Sequence, residues 1–351
     1  MSIVTLQAVA KRFGNFVALQ PTDLEIGDGE FLTLLGPSGC GKTTTLRIIA
    51  GFIEPSEGVV RFDGEDVTRL PPQKRAIGMV FQDYALFPHL SVAENIGFGL
   101  RERGTAKAKI KSRVGELLDL IRLPQIAERF PAEISGGQAQ RVAFARAIAS
   151  PPRVLLMDEP LGALDLKLRE AMQIELRRLQ RELAITTIYV THDQGEAMNL
   201  SDRIAVMENG RVAQFGTAQE IYNRPRTRFV ADFIGKINFL HGIVAGRDGA
   251  LSVVRAGGVT LRAPATGSGE VTIAIRPEHV GFVNGHGAPP GDNLISGTVV
   301  TQMFNGNLTH VQVAVAGGEW TVEMRPGEAA VADGQAVQLH WRPEHSVALT
   351  E

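Results

Sequence analysis

The chain has 351 residues, more than one average domain holds and comfortable for two. Hydrophobic residues make up 44% and charged residues 21%, a balance that excludes a disordered polyelectrolyte. With 36 basic against 38 acidic side chains the net charge is -2, which argues against a dedicated nucleic-acid binder. The single cysteine, Cys40, rules out an internal disulfide and fits a reducing compartment. The opening residues Met1-Ser2-Ile3-Val4-Thr5-Leu6 lack the basic stretch and apolar core of a secretory signal. No apolar run approaches the roughly 18 residues of a membrane span, so at a membrane another chain must supply the channel.

In chain order, short apolar runs alternate with helical stretches up to about residue 235. Phe31 to Leu35, Gly58 to Phe62, Ile77 to Phe81, Arg153 to Met157 and Thr186 to Val190 read as strands. Leu164, Leu168, Met172, Leu176, Leu179 and Leu183 recur at three- and four-residue intervals and predict one amphipathic helix. Such alternation implies a largely parallel sheet covered by helices. Residues 89–150 read as a helical insert without a convincing strand. After Gly235 helical periodicity ends, glycine becomes frequent, and Val271 to Ile275, Thr298 to Thr301, His310 to Val315 and Ala336 to Trp341 read as strands of an all-β second domain. The boundaries are therefore 1–235, with an insert near 89–150, and 236–351. The tail contains an echo: Ile275-Arg276-Pro277-Glu278-His279 returns as Trp341-Arg342-Pro343-Glu344-His345. It reads first as a duplicated strand-and-turn unit, and second as a ligand or metal site built on His279 and His345.

Gly36-Pro37-Ser38-Gly39-Cys40-Gly41-Lys42-Thr43, followed by Thr44, matches the eight-residue phosphate-loop pattern, between the strand Phe31–Leu35 and a helix. Glycines let successive backbone N–H groups converge on one anion, and the helix N-terminus adds partial positive charge. Lys42 is expected on the β- and γ-phosphates and the Thr43 hydroxyl on Mg²⁺. Cys40 fills a free position of the loop and is not catalytic; a helix N-terminus favours its thiolate, so alkylation is expected to inactivate an ATPase, with MgATP protecting.

Val154-Leu155-Leu156-Met157-Asp158-Glu159-Pro160 is an apolar strand ending in two carboxylates. Strand alternation turns them apart, which assigns Asp158 to the metal and Glu159 to the general base that activates water. His192, in Thr191-His192-Asp193 after a strand, either orients that water and donates to the γ-phosphate or is structural; Gln82, after the strand ending at Phe81, carries the same ambiguity.

Ile134-Ser135-Gly136-Gly137-Gln138, followed by Arg141, opens another helix and offers a second anion cradle. One subunit has no use for two cradles on one ATP. Two copies facing head to tail, each covering the other's nucleotide, use both. At this point the sequence resembles the nucleotide-binding subunits of ATP-binding cassette (ABC) importers, over essentially the whole chain. The order of elements carries the likeness: phosphate loop, Gln82, Ser135 to Gln138, Asp158-Glu159, Asp165, His192. The resemblance implies an α/β P-loop NTPase core of the ABC type with a helical insert, followed by an all-β, oligonucleotide-binding-like (TOBE) regulatory domain. It implies that Phe13 stacks on adenine, that Gln82 touches the metal and links ATP to the permease, that Asp165 lies in a dimer contact, and that His192 is the γ-phosphate switch. It further implies a homodimer on transmembrane permease subunits at the cytoplasmic face of the plasma membrane, served indirectly by a substrate-binding protein, with no nucleic acid and no span of its own. Phe81 to Pro88 and the insert should receive a permease helix.

Two departures from the family pattern leave every catalytic group in place: Ile134 stands where leucine is usual and Gly162 where serine is common. The β-rich tail resembles those of importers for sugars, polyamines, iron, sulfate and phosphonates. Phe229 to Leu240 looks most like polyamine-type subunits, with iron and phosphonate importers next. A cassette ATPase acting on nucleic acid would bring a coiled-coil insert or a second cassette, and a pure regulator would not keep a full catalytic set.

Overall fold

The computed structural model describes residues 2–264, 267–284, 287–327 and 331–349. They form two compact units, Met1–Ala218 and Gln219–Glu351. Among the described residues no helix is long and apolar enough to cross a membrane.

The first unit is built on a six-stranded sheet ordered Arg211–Gly216, Arg203–Glu208, Phe31–Leu35, Thr186–Thr191, Val154–Asp158, Ile77–Val80, parallel except at the Arg211–Gly216 edge. The central strands Phe31–Leu35 and Thr186–Thr191 are buried at every position, as apolar strands covered by helices on both faces must be. Their register is what matters for function: Leu35 pairs with Thr191, Asp158 with Val190 and Val80 with Met157, so four strands end level at one edge. The helix with the predicted leucine repeat spans Leu166–Leu183 and buries Met172, Leu176 and Leu179. Residues 89–150 hold the helices Val92–Glu102, Lys107–Leu120 and Gly136–Ile148, and among the described residues no strand.

A second sheet was not expected. Phe16–Ile26, Val4–Phe13, Glu57–Phe62 and Glu65–Asp66 form a four-stranded antiparallel sheet, so the run Gly58 to Phe62 belongs here and not to the parallel sheet. Bulges explain why the hairpin escaped notice. Register shifts between Leu6 and Val9, Val9 and Lys11, and Lys11 and Arg12 interrupt the period of two on which strand patterns rest.

One buried cation ties the two sheets' connections together. Arg75, 2% exposed, donates from Nη1 to the carbonyls of Ile48 (2.7 Å) and Ile49 (2.8 Å), from Nε to Leu70 (2.7 Å) and from Nη2 to Thr68 (2.8 Å). It thereby supplements the Gly51 N–H on the Ile48 carbonyl and provides a donor for the Ile49 carbonyl in the last turn of the helix Lys42–Ala50.

The second unit contains two five-stranded antiparallel sheets around Trp320 and Trp341, whose rings meet edge to face at 5.2 Å. It also takes in the helices Ala218–Asn223 and Arg228–Phe233, so the division falls at 218 and not at the composition change near 235. The reason is Arg276, whose buried guanidinium donates to the carbonyls of Tyr222, Ala231, Ile234 and Lys236. The duplicated motif proves to be the pair of links between the sheets: Pro277–His279 leads out of one, Pro343–His345 leads back. His279 and His345 stack with centroids 4.0 Å apart, and no cluster of three metal-binding side chains exists among the described residues.

Replacing Arg75 by Met should destabilise the first unit by roughly 2 kcal/mol, because the Ile49 carbonyl and the part-buried carbonyls of Thr68 and Leu70 lose their side-chain donor; a urea midpoint equal to the parent's contradicts this. In the second unit, burial and the neighbouring His345 depress the pKa of His279 below its ordinary 6.5. The unfolded chain then binds the proton more readily than the folded one. Stability is thus full above about pH 6.5 and falls as the pH drops below it toward the lower folded value. Calorimetry from about pH 7.5 to pH 5.5 should show this decline, and His279→Gln should flatten it.

Candidate active site

The loop Gly36 to Gly41 leaves the strand Phe31–Leu35 and turns through left-handed backbone at Gly39 (φ +80°) and Gly41 (φ +105°), which an L side chain resists. A β-carbon on Gly36 would collide with the Met207 carbonyl and Cys40 Sγ; one on Gly41 would press on the Ala18 carbonyl. Pro37, Ser38 and Gly39 remain exposed at the crest. Lys42, 5% exposed, folds back under the loop and donates to the carbonyls of Gly36 (2.7 Å) and Pro37 (2.9 Å). Thr43 and Thr44 follow in the first turn of the helix.

Cys40 corrects an expectation. It is 3% exposed, and burial pushes its thiol pKa up, outweighing the nearby Lys42 ammonium, which lies 3.9 Å from the sulfur. The thiolate is not favoured, since desolvation wins over the helix terminus.

Asp158 closes its strand with Oδ1 3.4 Å from the Thr43 hydroxyl. Burial raises its pKa; Arg47 opposes that and Glu159 adds to it. An alcohol and a carboxylate side by side at a phosphate loop are hard oxygen donors that fit Mg²⁺ with retained waters. Glu159 sits just past the strand in left-handed backbone (φ +44°), and its N–H is held by the Val190 carbonyl at 3.0 Å. A non-glycine residue kept there marks a conformation enforced by its surroundings. His192, with its side chain 61% exposed, places Nδ1 3.2 Å from Glu159 Oε2. Gln82 lies in the turn after Val80, its amide nitrogen 3.9 Å from where a β-carbon on Gly162 would stand. The aligned strand ends thus bring Lys42, Thr43, Asp158, Glu159 and His192 to one edge. Phe13 is half exposed at the tip of the Val4–Phe13/Phe16–Ile26 hairpin, whose Ala18 carbonyl abuts Gly41.

Ser135 caps the helix Gly136–Ile148: its hydroxyl accepts from Gln138 N–H (3.4 Å) and its own N–H donates to Gln138 Oε1 (2.9 Å). This capping box uses two donors and by helical geometry leaves those of Gly136 and Gly137 without intrahelical acceptors. Gly136 and Gly137 pack on Leu164 and Leu168, which bracket Asp165, the N-cap of the helix Leu166–Leu183. The second cradle and Asp165 therefore share a surface.

Three arginines that sequence pattern alone does not reveal join these parts. Arg75 braces the phosphate-loop helix against the strand leading to Gln82. Arg146 donates to the carbonyls of Ala85 (2.6 Å) and Tyr84 (2.8 Å), fastening the Gln82 turn to the Ser135 helix. Arg169 reaches Leu164 and Asp193. Their acceptors are mostly backbone carbonyls, which leave no mark in side-chain spacing.

Known families match two segments: the ABC transporter family over residues 19–162 and the TOBE domain over residues 273–349. The spermidine/putrescine import ATP-binding protein PotA of Rubrobacter xylanophilus is 48% identical, covering 99% of this chain and 93% of its own length. The protein of the same name from Frankia alni is 50% identical, with 99% and 79% covered. Among solved structures, cbiO1 from Clostridium perfringens, part of the ABC transporter complex cbiONQ, aligns with a TM-score of 0.59 at 29% identity, covering 62% of this chain and 89% of its own. The ATP-binding cassette MJ0796, in a dimeric post-hydrolysis state bound to ADP and Pi, gives 0.55 at 34% identity, with 61% and 98% covered. A phosphate loop, an acid pair and a histidine at one sheet edge, joined to this likeness over nearly the whole length, place the chain in the ABC transporter family as one of its ATP-hydrolysing subunits.

Proposed function

We propose that this chain energises the import of spermidine or putrescine through a separate membrane permease. It works as a head-to-tail pair at the cytoplasmic face of the plasma membrane. The observation that supports the motor role is the level ending of four strands, which brings Asp158, Glu159 and His192 to the edge where the phosphate loop and Lys42 and Thr43 begin their helix. The polyamine assignment rests on relatives that bear that name across almost the entire chain.

In this reading Lys42 exchanges the Gly36 and Pro37 carbonyls for β- and γ-phosphate oxygens, and the loop N–H groups of Gly39 to Thr43 take the rest. Phe13 stacks on the adenine. Thr43, Asp158 and Gln82 are the residues that would hold Mg²⁺, which would supply neutralisation of the developing phosphate charge. Glu159 accepts the proton of the attacking water as the β–γ bridge breaks, giving ADP and phosphate. His192, in contact with the Glu159 carboxylate, orients that group and donates to the γ-phosphate. The free N–H groups at Gly136 and Gly137, with the Ser135 hydroxyl and Gln138, cover the γ-phosphate bound by the second copy, while Asp165 lies in the contact between copies. Support for pairing comes from the dimeric MJ0796 cassette bound to ADP and Pi. Gln82 and the Tyr84 to Phe87 turn, fastened through Arg146, face the permease.

Reconstitution with the permease and binding protein encoded beside it should give ATP-dependent uptake of labelled spermidine or putrescine. Uptake of sulfate, iron(III), phosphonate or sugar instead would overturn the substrate. Glu159→Gln should lower turnover about 10²- to 10⁴-fold and accumulate an ATP-bound pair on size exclusion. Lys42→Ala should abolish nucleotide binding itself. Normal hydrolysis by Glu159→Gln would falsify the assignment of the base.

A further inference from the structure

The turn that bears His192 and the turn that bears Asp165 are joined by one side chain. Arg169, one turn into the helix Leu166–Leu183, donates from Nη2 to the Leu164 carbonyl (3.0 Å), immediately before Asp165. From Nη1 it donates to Asp193 Oδ2 (3.2 Å), immediately after His192. Asp193 caps the helix Gln194–Leu200, its other oxygen accepting from Glu196 N–H at 2.9 Å.

Glu196 completes the link. It is 3% exposed, and its Oε2 accepts from the hydroxyls of Tyr189 (2.6 Å) and Thr191 (2.7 Å). Thr191 Oγ1 in turn accepts from Asp193 N–H at 3.0 Å, closing a ring of hydrogen bonds around the backbone of His192. The other carboxylate oxygen of Glu196 faces Arg169 Nε across 3.8 Å, ion-pair distance but too long for a hydrogen bond. That Nε–H is buried and, among the described residues, has no hydrogen-bond acceptor. An unsatisfied buried donor facing a buried carboxylate leaves a short rotation that would be favourable once the Leu164 carbonyl moves.

We propose that Arg169 is a positioning residue that transmits the contact between copies at Asp165 to the placement of His192 against Glu159. Asp165 and Leu164 shift when the second copy closes; the guanidinium follows the Leu164 carbonyl and carries Asp193 and Glu196 with it. His192, fixed at both ends by that ring, then moves as part of a rigid turn. Arg169 touches no reacting atom. The inference rests on the paired-site reading above, and it names the device by which pairing switches on hydrolysis.

The test uses the full chain with its permease. Arg169→Met should lower kcat roughly tenfold while leaving KM for ATP within about twofold, the split expected when coupling and not binding is lost. In the Glu159→Gln background, Arg169→Met should still pair on ATP. Removing the guanidinium strands two carboxylates, so the double variant Arg169→Met/Glu196→Gln separates folding from coupling: its urea midpoint should recover toward the parent's while kcat stays low. Arg169→Lys, which keeps charge but not the planar fork, should fall between. Parent-like kcat in the folded double variant overturns the proposal, as does loss of ATP-driven pairing, which would make Arg169 a part of the interface. Intact turnover in Glu159→Gln, run alongside, would instead indict the reading of the site.

Discussion

The parallel register of one sheet is the constraint on which the site depends. Because Leu35 is opposite Thr191, Val80 opposite Met157 and Asp158 opposite Val190, the loops after four strands open at the same height. A slip of one residue in any pair would turn the carboxylate of Asp158 to the other face of the sheet and away from Thr43. Full burial of the central strands is what forbids that slip, since each face packs into a closed core, one formed with helices and one with helix Lys42–Ala50 and the antiparallel sheet. Packing of a largely apolar interior thus fixes groups that are polar.

Helices and turns are located by a different kind of bond. Arg75, Arg146 and, in the second unit, Arg276 each spread a guanidinium over backbone carbonyls at helix ends and turns, and Arg169 spans one carbonyl and the Asp193 carboxylate. A planar fork with five donors suits this role, because it reaches several acceptors without conformational freedom to lose at each. Lysine could meet one or two of them. Three of these arginines connect pieces of the candidate site that are distant in sequence.

The phosphate loop, the acid pair and the Ser135 helix start were legible because each is a local pattern: glycines at fixed spacing, carboxylates at an apolar strand's end, a serine three residues before glutamine. The amphipathic helix was legible from Leu164 to Leu183 for the same reason. The antiparallel sheet was hidden by bulges between Leu6 and Arg12, and the unit boundary by Arg276, whose contacts reach back across more than forty residues of sequence. Cys40 misled because a helix N-terminus is visible in sequence and burial is not. Arg169 and Glu196 gave no signal at all, since their partners come together only after the Asp165 and His192 turns have been placed by the sheet.

Lys42 braces the phosphate loop from beneath. Its ammonium is withdrawn from water yet keeps two strong acceptors in the Gly36 and Pro37 carbonyls, so the charge is tolerated in the folded chain. Those same carbonyls belong to the loop whose N–H groups point outward, so the lysine braces the geometry it will later serve. Glu159 is treated likewise: its left-handed backbone is kept by the Val190 carbonyl, and its carboxylate by His192. What remains free to change is the relation of His192 to Asp165, and it is there that the structure leaves a buried donor, Arg169 Nε, short of its acceptor. If hydrolysis waits on pairing as proposed above, the link through Arg169 between the Asp165 and His192 turns is where that signal would enter, and the braced loop and base are what it would act on.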